Sequence, residues 1–340
     1  MIEDHLEELT LEWLAGLGYQ CLAGDDVSLG GKCEGRTKYS QVVLRPRLEE
    51  AIARLNPDLP YSAKTAAAEQ LASYASQSLI DGNREVYGWL RGGIPVEVIE
   101  KDGHRSIKLA QIIDFESPES NDLLAVKQFT VHGHKNHRPD IVLFVNGLPL
   151  VVIELKNPAD LYADIESAFN QIQTYQENIP RLFDCNLLNV ISDGVNACYG
   201  SVTAGFDHYG FWRLLGENTA IEGMMELEVL AKGLLNPATL LDMLRRFVVY
   251  SISDGSPSVK IVAKWHQYRG VTKAVARAVD SFQNRKDGKG GVIWFTQGSG
   301  KSFLALFYAM ALREHPALKT PTIIAVTDRN DLDEQLFETF

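Results

Sequence analysis

The sequence predicts an α/β chain of two domains, on three observations. Short apolar runs of strand length alternate with stretches of helical periodicity along most of the 340 residues. Two of those runs are joined by Asn146-Gly147, the strongest short-range signal for a β-hairpin. A strand, a glycine loop and a helix follow near residue 300, beyond a Ser/Gly/Pro-rich stretch, so a second α/β unit starts there. The length also exceeds what one hydrophobic core comfortably serves.

Taken in order, residues 3–19 carry Leu6, Leu9, Trp13, Leu14 and Leu17 at helical spacing, with Gly18 as the C-cap. Residues 46–56 and 63–80 read as two more helices, the second Ala-rich with Gln70 and Gln77 outward. Strands are expected at 96–100, 106–114 and 123–131, then across the hairpin 140–156. Asn157-Pro158 breaks the chain before a helix over 161–177. A strand at 187–191 and a short one at 197–199 follow, then an irregular aromatic segment through Trp212. Residues 222–250 read as helical, and 251–258 (Ser-Ile-Ser-Asp-Gly-Ser-Pro-Ser) as the linker. The second unit begins near 260, with strands at 291–295 and 322–327. There is no internal repeat and no low-complexity tract.

Composition places the chain among cytoplasmic proteins. Its hydrophobic fraction of 45% and charged fraction of 23% are ordinary for a soluble globular protein. No apolar run approaches the ~18 residues of a membrane span, so no membrane partner is expected. The acidic start, Met1-Ile-Glu-Asp-His-Leu-Glu-Glu8, is unlike a secretory signal. Cys21, Cys33, Cys185 and Cys198 are scattered, without the spacing of a metal site or a disulfide framework. A net charge of −11 argues against a surface that coats nucleic acid everywhere, but leaves room for a local basic channel.

The densest chemistry lies at 138–156. Arg138-Pro139-Asp140 opens the first hairpin strand, and Glu154-Leu155-Lys156 closes the second. Between them the run Ile141–Ile153 is almost wholly apolar. Glu154 and Lys156 are two apart and leave one face of their strand, while the hairpin returns Glu154 alongside Asp140. Charge beside a dry strand is costly unless compensated. Lys156 can do this as a structural salt bridge, or the two carboxylates can hold Mg²⁺ for phosphodiester hydrolysis.

The second motif is Thr296-Gln-Gly298-Ser299-Gly300-Lys301-Ser302, placed between an apolar run and a helical one. Strand, glycine loop, Lys-Ser and helix make a phosphate cradle. Backbone N–H groups hold phosphate oxygens, Lys301 reaches the β/γ-phosphates of ATP and Ser302 ligates Mg²⁺. Phe295 stands where the strict Walker pattern has glycine. On the helix after Lys156, Gln171 and Tyr175 are four apart and share a face. His132, His134 and His137, with Lys127, Lys135 and Arg138, precede Asp140. They form either a zinc-binding loop or, on the reading favoured here, a phosphate-contacting one.

Together these motifs resemble the restriction (motor) subunit of type I restriction–modification enzymes. The resemblance rests on residues 121–131, on 138–156, on the phosphate loop, and on Val326-Thr-Asp-Arg329-Asn-Asp331-Leu-Asp-Glu-Gln335. It implies a PD-(D/E)xK nuclease domain over 1–255, with its core at about 85–200 and a helical tail at 220–250. The beginning of a RecA-like helicase-type motor is implied over 260–340. Carried over, Asp140 and Glu154 bind Mg²⁺ with the Leu155 carbonyl, and Lys156 orients or activates the attacking water. Gln171 and Tyr175 stand near the cut, and Glu7, preferred to Glu8, completes the site from the first helix. Gln267 corresponds either to the adenine-reading glutamine of helicase-type motors or to a plain exposed residue. Double-stranded DNA and the modification and specificity subunits are the implied partners. No DEAD-like box, second RecA lobe or arginine finger follows before Phe340, so these residues are expected to be part of a longer or truncated subunit and not to translocate DNA alone. The competing expectation is a catalytically idle module that docks the motor onto its methyltransferase partners.

Overall fold

The structure, a computed structural model, describes residues 3–33, 35–156, 164–216, 219, 221–253 and 256–326. The chain opens with α1 (Glu3–Gly16), β1 (Gln20–Ala23), α2 (Arg45–Leu55), α3 (Tyr61–Ala72) and α4 (Leu79–Gly92). Then come β2 (Ile94–Ile99), β3 (Arg105–Ala110), β4 (Leu123–Lys127), β5 (Val131–His132) and β6 (Asn136–His137). The centre of the molecule is β7 (Ile141–Val145), β8 (Leu148–Leu155), α5 (Ile165–Asn178), β9 (Leu188–Ser192) and β10 (Ala197–Gly200). The remainder is α6 (Glu226–Gly233), α7 (Pro237–Arg246), β11 (Val248–Ser253), β12 (Ser256–Val262), α8 (Trp265–Asp280) and α9 (Lys301–Glu314).

Six strands form one mixed sheet in the order β1-β4-β7-β8-β9-β10. β1 runs parallel to β4 and β8 parallel to β9, while the other neighbours are antiparallel. α1 packs on β1 and β4, and α5 on β8 and β9. Every residue of β7 and β8 is buried, which is why their sequence is continuously apolar rather than alternating.

The hairpin between them forms as its sequence predicts. Asn146 and Gly147 both take positive φ, 52° and 78°, the pairing a two-residue I′ turn requires. Asn146 is fully buried, and its Nδ2 donates to Ile112 O (2.7 Å) and Asn121 Oδ1 (2.8 Å). Its Oδ1 accepts from Asp122 N at 2.8 Å, so the amide costs nothing unsatisfied. Gly147 lies against α2, where an added Cβ would stand 2.4 Å from Leu44 O. The ladder carries one irregularity: Phe144 faces Pro149 but Leu143 faces Val151, leaving Leu150 as an extra, bulged residue.

Several expectations need correction. The helix over 63–80 is two helices, broken between Ala72 and Leu79. Ser73 Oγ turns back to Glu69 O (2.6 Å) and Ser78 caps α4, so the serines compete with helical bonding. The helical stretch at 222–250 is likewise two helices, with Asn236 capping and Pro237 opening α7, and the chain is already in β11 from Val248. Of the expected linker at 251–258, residues 251–253 instead lie in β11 and 256–258 in β12, which pair antiparallel, and residues 254–255 lie outside the described ones. Residues 291–295, and 322–326 of the other expected strand, are not in strands. Their β-branched and aromatic composition suits a sheet, but no strand among the described residues pairs with them, and a lone strand leaves its ladder unmade. The Asn157-Pro158 breaker and the motif from Thr327 to Gln335 lie outside the described residues.

Candidate active site

The ends of β7 and β8 bring Asp140 beside Glu154. Ile141 faces Ile153, so Asp140 stands one step further along, next to the Glu154–Leu155 edge. Its Oδ2 accepts a hydrogen bond from Leu155 N at 2.7 Å. Asp140 is 6% exposed and Glu154 2%. Lys156 Nζ reaches Glu154 Oε1 at 2.6 Å, and the Tyr175 hydroxyl donates to Glu154 Oε2 at 3.0 Å. Tyr175 is buried on α5, one turn after the half-buried Gln171, whose side chain also reaches the phenol. Hence Asp140, Glu154, Lys156, Gln171 and Tyr175 converge on one place from three elements.

The first helix adds a third acid. α1 buries Glu7 (3% exposed) and leaves Glu8 exposed, so of the two glutamates it is Glu7 that faces inward. Glu7 Oε2 lies 3.3 Å from Lys127 Nζ yet is buried without a hydrogen bond, and Glu7 Oε1 accepts from Gln128 Nε2 at 2.7 Å. Lys127 also holds Asp4 at 2.7 Å. Sequence reading did not single out Gln128. Its contact with Glu7 spans 121 positions and depends on a left-handed backbone (φ 59°), and neither leaves a periodic signal.

Crowded buried acids repel, and the carboxyl of Asp140 shows it. Burial, then the charge of Glu154, push it up to about 8, against the opposing Leu155 N–H. Burial also raises Glu7, despite the ammonium of Lys127. Such acids ionise together only with positive charge nearby: Lys127 supplies it to Glu7 and Lys156 to Glu154, while the raised Asp140 carboxyl has no cation in contact with it among the described residues. Among the described residues no three His, Cys, Asp or Glu side chains make a metal cage by themselves. The donors that the resemblance implies, the Asp140 and Glu154 carboxylates with the main-chain oxygen of Leu155, would leave positions for water and substrate oxygens. That pattern fits Mg²⁺, which keeps waters and uses one or two carboxylates. It does not fit zinc at the histidine loop: His132 and His134 are exposed, His132 stacks on Tyr39, and His137 packs edge-on to Tyr175.

The second motif forms a turn at the start of α9. Gly298 and Gly300 take positive φ (79° and 74°), and Gly300 caps the helix that begins at Lys301. Ser299 Oγ donates to Thr296 O at 2.7 Å. The loop is exposed from Thr296 to Gly298, Lys301 is exposed, and Ser302 is half-buried. Gln267, 5% exposed, sits against it from α8, donating to Gly300 O at 3.1 Å while its Oε1 accepts from Lys264 N at 2.9 Å. Gln267 is thus no plain exposed residue, and its carboxamide is engaged with the loop backbone.

Comparison with known proteins covers both parts. Residues 1–208 match the family model described as type I restriction enzyme R protein N terminus, and residues 266–340 match that of the SWI2/SNF2 ATPase. The chain is 40% identical over 343 residues to the type I restriction enzyme HindI endonuclease subunit of Haemophilus influenzae, covering 99% of this chain and 32% of that protein. It is 28% identical over 363 residues to a provisionally named type I restriction enzyme MjaIXP endonuclease subunit of Methanocaldococcus jannaschii, covering 99% and 34%. The type I restriction enzyme SsaAORF53P endonuclease subunit of Staphylococcus saprophyticus is 30% identical over 223 residues, or 65% and 22%. The chain spans about a third of the length of the first two relatives.

Proposed function

The chain belongs to the type I restriction enzyme R protein family, and on that premise we propose that it carries the Mg²⁺-dependent DNA-cleaving centre of an ATP-dependent restriction enzyme. The observation that carries this reading is the convergence of Asp140, Glu154, Lys156 and Tyr175 at the paired ends of β7 and β8. It corresponds to a PD-(D/E)xK nuclease domain over 1–255, with residues 260–340 beginning a RecA-like motor.

In this reading Asp140, Glu154 and the Leu155 carbonyl hold the cation. When bound, Mg²⁺ polarises the scissile phosphodiester and makes an attacking water more acidic. Lys156 orients that water and stabilises charge on the phosphorus oxygens. The Tyr175 hydroxyl fixes Glu154 in one orientation, Gln171 supports the phenol, and Glu7 adds negative charge from α1. The exposed His132, His134, Lys135 and Arg138 sit just before Asp140 and supply phosphate contacts that weaken with salt. At the second motif, Thr296, Gly298, Ser299, Gly300, Lys301 and Ser302 cradle the phosphates of ATP, and Gln267 becomes the adenine contact on exchanging its bonds to Lys264 N and the loop carbonyls for the base. ATP hydrolysis then drives double-stranded DNA past the nuclease in the complete cytoplasmic complex with modification and specificity subunits.

The test uses that complete complex with Asp140→Asn. Asparagine retains an oxygen to accept from Leu155 N but removes the charge. Cleavage should fall at least ~100-fold while ATP hydrolysis and translocation persist. Unchanged cleavage would sink the nuclease reading in favour of an idle module that docks the motor onto its partners.

A further inference from the structure

The nuclease reading leaves Gln128 without a role, although its backbone is unusual. It follows the last residue of β4 with φ 59°, a left-handed conformation that costs an L-residue about 1–2 kcal/mol and glycine almost nothing. The strain is held by its surroundings. Gln128 N donates to Asp140 O at 2.7 Å, continuing the ladder between β4 and β7. Its own carbonyl presses on Gly24, where an added Cβ would stand only 2.1 Å away. A residue kept in such a place against its own preference is a candidate for a functional demand.

The half-buried side chain shows what that demand is. Its single NH₂ group stands 2.7 Å from Glu7 Oε1 and 3.5 Å from Asp140 Oδ1, the second at the outer limit of a hydrogen bond. A carboxamide NH₂ has two N–H donors, so one group can serve two carboxylates without adding a charge. A lysine here would neutralise the acids, and a third acid would repel them. Resting on the nuclease reading, we propose that Gln128 is a positioning residue: its amide ties Glu7 of α1 to Asp140 of the sheet and so sets the geometry of the acidic centre.

A purely structural role makes a different prediction from a positioning one. Gln128→Gly relieves the left-handed strain and removes the amide. In the complete complex, this variant should melt no lower than the parent and translocate DNA at the parent rate. It should cleave at least 10-fold more slowly, with the loss in kcat and not in KM for DNA. Gln128→Asn, which also tolerates this backbone but is one methylene short, should show the same loss if glycine loosens the loop. Glu7→Gln should lose a similar factor, and the Glu7→Gln/Gln128→Gly double variant should be no worse than Glu7→Gln alone. Parent-rate cleavage by both Gln128 variants, or a double loss equal to the product of the single ones, would overturn the proposal. So would a cleavage loss accompanied by a lower melting temperature in both. Failure of the nuclease reading itself is seen separately, as unchanged cleavage by Asp140→Asn.

Discussion

At the scale of single residues, the centre is built from groups that would be costly if left alone. Glu154 is buried, and Tyr175 supplies one of its hydrogen bonds. Tyr175→Phe leaves the carboxylate short of a donor, and the expected cost is about 1–3 kcal/mol of stability with slower cleavage, read by thermal melting and a cleavage assay. Lys260 is a second such group, 2% exposed, donating to Asn186 O with no acid beside it among its described contacts. Burial pulls its ammonium down to about 7. Between that value and the 10.5 of an unfolded lysine, the unfolded chain binds more protons than the folded one. Stability therefore rises as pH rises through this window, and the penalty is complete below about 7. Lys260→Met leaves Asn186 O its bond from Asn83 Nδ2 at 2.9 Å. The variant should be more stable than the parent by on the order of 2 kcal/mol at pH 7, with the difference shrinking toward pH 10.5. A difference that stays constant across that range would refute this account. The pairs Glu154/Lys156 and Gln171/Tyr175 were legible in the sequence, because spacings of two and four residues fix faces of strands and helices. The hairpin signal put Asp140 near them, although the bulge that sets it opposite Glu154 left no mark of its own. The link from Glu7 through Gln128 was not legible, because it joins distant residues through a backbone conformation that no periodicity announces.

At the scale of elements, legibility followed local chemistry. Asn146-Gly147 dictated its own turn, and the apolar arms on either side dictated burial. Elements went astray where competition was local and quiet, as with Ser73 and Ser78 breaking one Ala-rich helix, or where strand propensity at 291–295 lacked a partner strand among the described residues. The turn invites a direct test. Gly147→Ala must hold φ near +78° and place a methyl 2.4 Å from Leu44 O. We expect a loss of about 2 kcal/mol or more by chemical denaturation, and a loss under ~0.5 kcal/mol would show that α2 yields easily.

At the scale of the molecule, α9 carries the glycine loop at one end and an acid at the other. Glu314, in the last turn, is a poor neighbour for the helix C-terminus. It is held by Arg91 of α4 and by Arg245 of α7, the latter at 3.3 Å. These pairs join α9 to the helices beside it and are half-buried, so they outweigh ordinary surface pairs. Glu314→Ala should lower hydrogen-exchange protection along α9 by about 1 kcal/mol while leaving β7 and β8 unchanged. Equal loss in both places would mean that the molecule opens as one unit. Sequence gave no sign of this link, since Arg91 and Glu314 lie 223 positions apart.

The bulged Leu150 has a consequence in plain counting. In a regular hairpin with a two-residue turn, facing residues differ in number by an odd integer, as Val145 and Leu148 do. Asp140 and Glu154 differ by 14, an even number, so an unbroken ladder would set Asp140 against Ile153 and send the two acids to opposite faces. One supernumerary residue reverses that parity. The distance between the two acids, read together with the Asn-Gly turn, therefore already demanded an odd number of irregularities between them. Across relatives, every single-residue insertion or deletion in either arm should be matched by the gain or loss of one bulge.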